Sequence, residues 1–284
     1  MTNKHLARTR KHPSDEYYTS YSDIEAEVLH YTGFFKNKIA YCNCDDEGSL
    51  FTRFFVENFQ ELGLKKLVTT GIGGCYFEFD GNSTYTTNIN GDFRSDECHA
   101  VLDCADVVVT NPPFSLFNEF FSTVTEHGKD FLVIGPKTAV SYSSVFPMFH
   151  QDRCRFGFTA PNKFTTPSGE MANLQGMCRW MTSFQTPGKK YFTPTVSIND
   201  KNYEQFDLYP AINVNHSADI PFDFKGLMGV PVTAIEKLDH KEYEFVDMIA
   251  RYAVIDHCYD TPGHQLTEVN GRPRFSRLII KHKL

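Results

Sequence analysis

The residues best equipped for chemistry are Asn111-Pro112-Pro113-Phe114, directly after the apolar run Asp106-Val-Val-Val-Thr110. Read as strand and then turn, they place an amide, two residues without N–H groups and an aromatic ring at the carboxyl edge of a sheet. That edge is where open α/β folds bind ligands. The Asn111 side-chain carbonyl and the Pro112 main-chain carbonyl can both accept hydrogen bonds from an exocyclic amine, and Phe114 can stack on a ring. Proline fixes φ and so holds the carbonyl array rigid. The set suits an extruded nucleobase. A plain Pro-Pro turn closing a strand is the alternative.

The elements that must position this turn are legible around it. Ser22-Asp-Ile-Glu25 has the form of a capping box and predicts a helix to about Tyr31, with Ile24, Val28 and Tyr31 on one face. Lys38–Cys44 reads as a buried strand, followed by the acidic turn Asp45-Asp46-Glu47-Gly48-Ser49. Leu50–Leu62 has helical spacing (Phe51, Phe54, Phe55, Phe59, Leu62) and stops at Gly63, and Lys66–Thr70 reads as a second strand. Together they form a β-α-β unit, for which a right-handed crossover is expected. Cys75–Phe79 and Thr84–Asn88 read as a hairpin about Asp80-Gly81-Asn82. A helix over Asp96–Cys104, the strand Val107–Thr110, a helix capped by Ser115 and running to about His127, and the strand Asp130–Ile134 follow. Beyond Phe156 the pattern turns β-rich and loop-rich. Leu174–Phe184, around Trp180, is expected to return to the sheet, and Leu266–Ile280 reads as a closing hairpin with Asn270-Gly271 as a type I′ turn. Helix-strand alternation has ended by about residue 190, which is taken as the domain boundary.

Composition sets the outer limits. At 284 residues and 41% hydrophobic content the chain has enough apolar side chains for a sizeable core, with 26 phenylalanines. No apolar stretch approaches membrane-spanning length and the start lacks the hydrophobic segment of a signal peptide, so a cytoplasmic location is expected. The eight cysteines show no Cys-x2-Cys pair, and none of the eleven histidines falls in a His-Glu-x-x-His pattern. Reduced, mostly buried thiols and no metal are therefore expected. The net charge of −7 hides an uneven distribution. Lys4, Arg8, Arg10 and Lys11 stand in a first dozen residues without acid, and Arg272, Arg274, Arg277, Lys281 and Lys283 in an equally acid-free end. Basic ends on an acidic body can build a local phosphate-binding surface, or can simply be solvated.

With these residues in view, the chain resembles the EcoRI-type adenine-specific (N6) DNA methyltransferase family, whose members depend on S-adenosylmethionine. The resemblance is carried by Asp15-Glu-Tyr-Tyr-Thr with Ser22-Asp-Ile-Glu25, Tyr41-Cys-Asn-Cys-Asp-Asp46, Gly91-Asp-Phe-Arg-Ser95, Asp106–Ser115 and Gly226-Leu-Met-Gly-Val-Pro231, in the family's order across most of the chain. It implies an α/β fold, a Rossmann-like methyltransferase sheet with helices on both faces, over residues 1–190. A smaller β-rich target-recognition region is implied over 191–284. Catalytic roles fall on Asn111, Pro112, Pro113 and Phe114. Cofactor contacts fall on Tyr18, Thr19, Cys44, Asp45, Asp46, Ser49, Asp92, Phe93 and Asn111. The tyrosine-threonine segment would close over the methionine end, and Asp45 and Asp46 would take the ammonium or the ribose hydroxyls. They can equally be helix N-terminal acids favoured by the dipole. Asp92 would accept the cofactor adenine's amino hydrogens with Phe93 against the ring, or else serve a turn.

Two features depart from the general methyltransferase pattern. The loop after the first strand carries one glycine where two or three are usual, and the second strand ends in Thr69-Thr70-Gly71 without the acid that often grips the ribose. The implied substrate is double-stranded DNA, with no membrane partner, and a monomer is expected while a dimer stays open. A cognate restriction endonuclease is an option. DNA contacts are sought among Arg153, Arg155, Lys163, Arg179, Lys189, Lys190 and the stretch Arg272–Lys283, although surface charge alone explains such residues equally well. The rival readings are an RNA or protein-glutamine methyltransferase, whose amines suit the same pocket, and a catalytically silent DNA-binding module of the same fold.

Overall fold

The computed structural model describes residues 17–166, 168–172, 174, 176–249 and 266–283. The basic N-terminal dozen lies outside the described residues. The chain divides into two compact units, residues 1–139 with 154–186, and residues 140–153 with 187–284.

The first unit is a mixed α/β structure. Its elements in order are β1 (Tyr18–Thr19), α1 (Tyr21–Val28), α2 (Thr32–Phe35), β2 (Ile39–Cys42), α3 (Leu50–Glu57), α4 (Phe59–Leu62), β3 (Lys66–Gly71), β4 (Cys75–Phe79) and β5 (Thr84–Asn88). Then follow α5 (Asp96–Cys104), β6 (Val107–Thr110), α6 (Phe117–Glu126), β7 (Asp130–Pro136), β8 (Arg155–Phe156), β9 (Phe164–Thr165), β10 (Met171–Ala172) and β11 (Cys178–Thr182). Eight strands form one sheet in the order β5-β4-β3-β2-β6-β7-β11-β8. The central four, β3-β2-β6-β7, are parallel, and both flanks are antiparallel. From β2 the chain moves to β3 on one side and later returns to β6 on the other. The strand order therefore reverses between β2 and β6, and such a switch point opens a crevice beyond the strands' carboxyl ends.

Alternation along the buried strands explains why helices cover both faces. Leu132 and Ile134 of β7 join a core with Ile24 and Val28 of α1 and Phe51, Phe54 and Phe55 of α3. Phe131, one residue before Leu132, points the other way and meets Phe121 of α6 edge-on at 5.1 Å. The i, i+3, i+4 spacing of Phe51, Phe54 and Phe55 gives α3 one buried stripe. Gly63 then ends α4 in the left-handed conformation, φ 62°.

Several local expectations need correction. The cap of α1 is Ser20, whose hydroxyl accepts from the Asp23 N–H, and not the Ser22/Glu25 box. The reason is long-range: β1 pairs with β9, and Ser20 N–H donates to the Lys163 carbonyl at 2.9 Å, which fixes where the helix begins. The single helix expected over Leu50–Leu62 is two, broken at Asn58. Ser115 does not cap α6; it lies in a one-turn 3-10 helix, Phe114–Leu116, and the cap position Leu116 makes no side-chain bond.

The second unit holds α7 (Phe146–His150) and a four-stranded sheet in the order β12 (Ala211–Asn213), β13 (Leu227–Pro231), β17 (Arg277–His282), β14 (Tyr243–Ile249). A two-stranded ribbon of β15 (Glu268–Val269) and β16 (Arg272–Pro273) turns at Asn270 and Gly271, both at positive φ as a type I′ turn requires. Asp207 fixes that turn by accepting from both N–H groups, at 2.8 and 2.7 Å. The closing hairpin expected over Leu266–Ile280 is therefore shorter, because Arg277–His282 leaves the ribbon to pair with β13 and β14.

Candidate active site

Strand β6 is buried at all four positions and delivers Asn111 to the carboxyl edge beside the β2/β6 switch point. The Asn111 Nδ2 donates to the Tyr17 carbonyl at 2.6 Å. A carbonyl can only accept, so this bond settles the amide's orientation and leaves Oδ1 as the amide's remaining acceptor. That oxygen is buried and, among the described residues, has no hydrogen-bond partner. A buried acceptor left unmade costs about 1–3 kcal/mol, so it marks a place where a donor is expected. Pro112 is buried, and the Pro113 carbonyl is taken by the Leu116 N–H at 3.0 Å, which leaves the Pro112 carbonyl outside that turn. The Phe114 ring is half-buried and tilts against Tyr17, centroids 6.2 Å apart.

The loop after β2 lies across the same edge. Asp45 is buried; its main-chain N–H donates to the Thr70 carbonyl at 3.1 Å, and its Oδ2 accepts from the Thr110 hydroxyl at 2.6 Å. Burial raises its carboxyl pKa to about 7, against the lowering pull of the Thr110 and Ser49 hydrogen bonds. Asp46 is exposed and holds the Gly48 N–H at 3.0 Å, an ordinary Asx turn. Ser49 caps α3 through the Thr52 N–H at 3.0 Å, and the Cys44 thiol is pushed up in pKa by burial. Glycines let three segments meet here. A Cβ on Gly71 would stand 3.1 Å from the Asp46 Cβ, and one on Gly91 would fall 1.8 Å from the Gly71 carbonyl oxygen. The Asn90–Arg94 loop is thus laid directly on the end of β3, beside the Asp46 turn.

The remaining cofactor candidates divide. Thr19 is buried with a hydroxyl unpartnered among the described residues, whereas Tyr18, its neighbour in an extended strand, is half exposed and on the opposite face. Asp92 is held by Arg94 through bonds of 2.8 and 2.6 Å to its two oxygens, with a third from the Arg94 N–H at 3.1 Å. The guanidinium holds its pKa below the usual carboxylate value. Phe93 is buried edge-on against Phe120 at 5.5 Å. One residue escaped the sequence reading. Asn43, immediately after β2, is 2% exposed, and its Oδ1 is buried and unpartnered among the described residues. The register that pairs Tyr41 with Val108 sets Asn43 level with Thr110. Its only sequence signal is a polar side chain where a wholly apolar strand stops.

Among the sought DNA contacts, Arg155 is a correction: it is 4% exposed and donates to the Ser183 and Phe184 carbonyls at 3.0 and 2.9 Å. Arg277 is likewise buried and bonded to Asn213 and Phe275. Arg153, Lys163, Lys190, Arg272, Lys281 and Lys283 are exposed; Arg179 and Lys189 are half-buried.

The family described as "Adenine-specific methyltransferase EcoRI" matches residues 5–89 and 78–283. The chain belongs to that family. It is accordingly a DNA methyltransferase. It is similar to the Type II methyltransferase M.MgeORF184P of Mycoplasma genitalium, 37% identical over 98% of both chains. It is also similar to M.MpnI of Mycoplasma pneumoniae, 34% identical over 97% of both, and to M.EcoRI of Escherichia coli, 32% identical over 99% of this chain and 97% of that one. No solved structure matches. No helix among the described residues is long and apolar enough to cross a membrane.

Proposed function

We propose that the protein transfers a methyl group from S-adenosylmethionine to N6 of an adenine extruded from double-stranded DNA, at a specific site. The observation that carries this reading is the Asn111 Oδ1, buried and unpartnered among the described residues, with its amide orientation fixed by Tyr17. The N6 lone pair is delocalised into the purine, which makes the amine a poor nucleophile. Acceptors at Asn111 Oδ1 and the Pro112 carbonyl would hold the two amine hydrogens and favour a more pyramidal nitrogen with its lone pair directed outward. As positive charge develops on the nitrogen, those two dipoles are already aligned to stabilise it. Phe114 would face the base.

The donor set fits the proposed cofactor. Asn43 Oδ1 is a buried acceptor suited to an ammonium, and the Thr19 hydroxyl is a donor suited to a carboxylate. When bound, S-adenosylmethionine supplies a methyl group activated on a sulfonium. Asp92, with its Arg94 partner, and Cys44, Asp46 and Ser49 of the loop after β2 border the same edge and are proposed to shape the cofactor site. In this reading residues 1–190 form the Rossmann-like catalytic domain and 191–284 read the DNA target. The working unit is a monomer in the cytoplasm, with a partner endonuclease as an option.

Transfer of a labelled methyl group to unmodified DNA, with single-molecule sequencing of the product, tests the reading. Modified adenine in one recurrent sequence is expected. Label confined to RNA or to protein glutamine, or absence of cofactor binding by calorimetry, would replace this reading with the corresponding rival.

A further inference from the structure

Two hydrogen bonds hold the end of β6 from separate sides. Asn111 is tied through its amide to Tyr17, whose ring packs on the core beneath α1 and α3. Thr110, one residue earlier, is tied through its hydroxyl to Asp45, on the loop after β2. Val107 and Val109 face that same core, so strand alternation turns Thr110 to the other side of the sheet. The 2.6 Å bond spans 65 residues of sequence and bridges the two strands between which the order reverses. Both partners are buried, Thr110 fully and Asp45 at 9% exposure. A buried carboxylate with few partners is a costly way to brace two strands, since an apolar pair of the same shape serves stability as well or better. What the polar pair adds is a fixed direction.

We propose that Thr110 is a positioning residue for the methyl transfer assigned above: its bond to Asp45 sets the end of β6 so that the Asn111 carbonyl is held at the reacting amine. This rests on the proposed role of Asn111. It also gives Asp45 a task other than direct contact with a cofactor: as an acceptor its charge is dispensable, but its oxygen is not.

The test compares Thr110→Val, which keeps the shape and removes the hydroxyl, with Thr110→Ser, which keeps the hydroxyl. Thr110→Val is expected to lower kcat by about 10- to 100-fold, with KM for DNA and for cofactor changed by less than about 3-fold. Thr110→Ser is expected to restore most of kcat. Asp45→Asn, which retains an acceptor oxygen, should stay within about 3-fold of wild type in kcat and cofactor KM, whereas Asp45→Ala should match Thr110→Val. The double variant Thr110→Val with Asp45→Ala should be no worse than either single one, because both remove one bond. Unchanged kcat in Thr110→Val, equal losses in the Val and Ser variants, or additive losses in the double variant would overturn the proposal. If Thr110→Val fails to fold, the Asp45→Asn and Asp45→Ala pair decides by itself. A rise in cofactor KM on Asp45→Asn would return Asp45 to direct cofactor contact and overturn the proposal. Asn111→Ala run beside these variants separates the two readings: activity surviving that change removes the assigned role of Asn111, whatever Thr110 does.

Discussion

Asn111 and Asp92 are both polar side chains on turns at the carboxyl edge of one sheet, and they have been left in opposite states. The Asn111 amide has its donor end tied to Tyr17 and its oxygen buried without a partner among the described residues. The Asp92 carboxylate has both oxygens on Arg94. The first arrangement stores an unsatisfied acceptor, oriented in advance, which is what stabilisation of developing charge requires. The second is already satisfied, so whatever it accepts must share the carboxylate with a guanidinium. An acid in a family motif therefore carries less information than an amide whose oxygen is buried without a partner among the described residues.

The sharpest way to break this comparison is to remove the orphaned oxygen. Asn111→Ala should lower kcat by about 10²–10³-fold while cofactor affinity, read by calorimetry, stays near normal. Wild-type turnover would sink the assignment. Phe114→Ala comes next, because stacking of a base on an aromatic ring contributes about 1–3 kcal/mol. Weakened binding of DNA with a normally paired target is expected, and unaltered binding would mean that the ring serves Tyr17 and the core alone. Asp92→Ala should weaken cofactor binding while leaving kcat at saturation within about 3-fold of wild type, since a residue already held by Arg94 contributes to binding and not to the reacting amine. A collapse of kcat would erase the distinction between the two residues.

The remaining expected effect is on stability and does not touch turnover. Asp45 has a pKa of about 7 in the folded chain against 3.8 for the free side chain. Between those values the folded state holds a proton that the unfolded state has lost, so the contribution of Asp45 to stability falls as pH rises from about 4 to about 7 and is level above. Thermal melts of the wild type should show this slope, and Asp45→Asn should flatten it. An identical slope in both would assign it to another group.

Much of the fold was legible because it is locally written. The bounds expected for β4, β5, α5 and β6 match those observed, since turn residues punctuate each one and apolar periodicity fills it. Strand β6 stood out for the same reason: a run of apolar residues followed by Asn111 and two prolines. What escaped is what distant chain segments decide. Ser22 and Glu25 have capping chemistry, but pairing of β1 with β9 moved the start to Ser20. Arg155 carries a charge and reads as surface, yet two carbonyls nearly thirty residues away hold it inside. Asn43 was passed over because an asparagine between two cysteines has no periodic signature. Only the register of β2 against β6 brings it level with Thr110.

Helix α1 also carries a consequence for how the chain is made. Glu27 is fully buried, and its carboxylate accepts from Tyr31, from the Phe158 and Thr159 N–H groups and from the Thr159 hydroxyl, at 2.6–2.8 Å. Asp23, one turn earlier, holds the Asn162 and Lys163 N–H groups in the same way. Apart from Tyr31, those partners lie more than 130 residues later. On a ribosome adding about 5–20 residues per second, that separation is on the order of ten seconds of synthesis. Through that interval Glu27 lacks those later partners, and a helix as short as α1 is marginal alone in water. Closure of the first unit therefore awaits the emergence of residues 158–163, which complete the site for its charge.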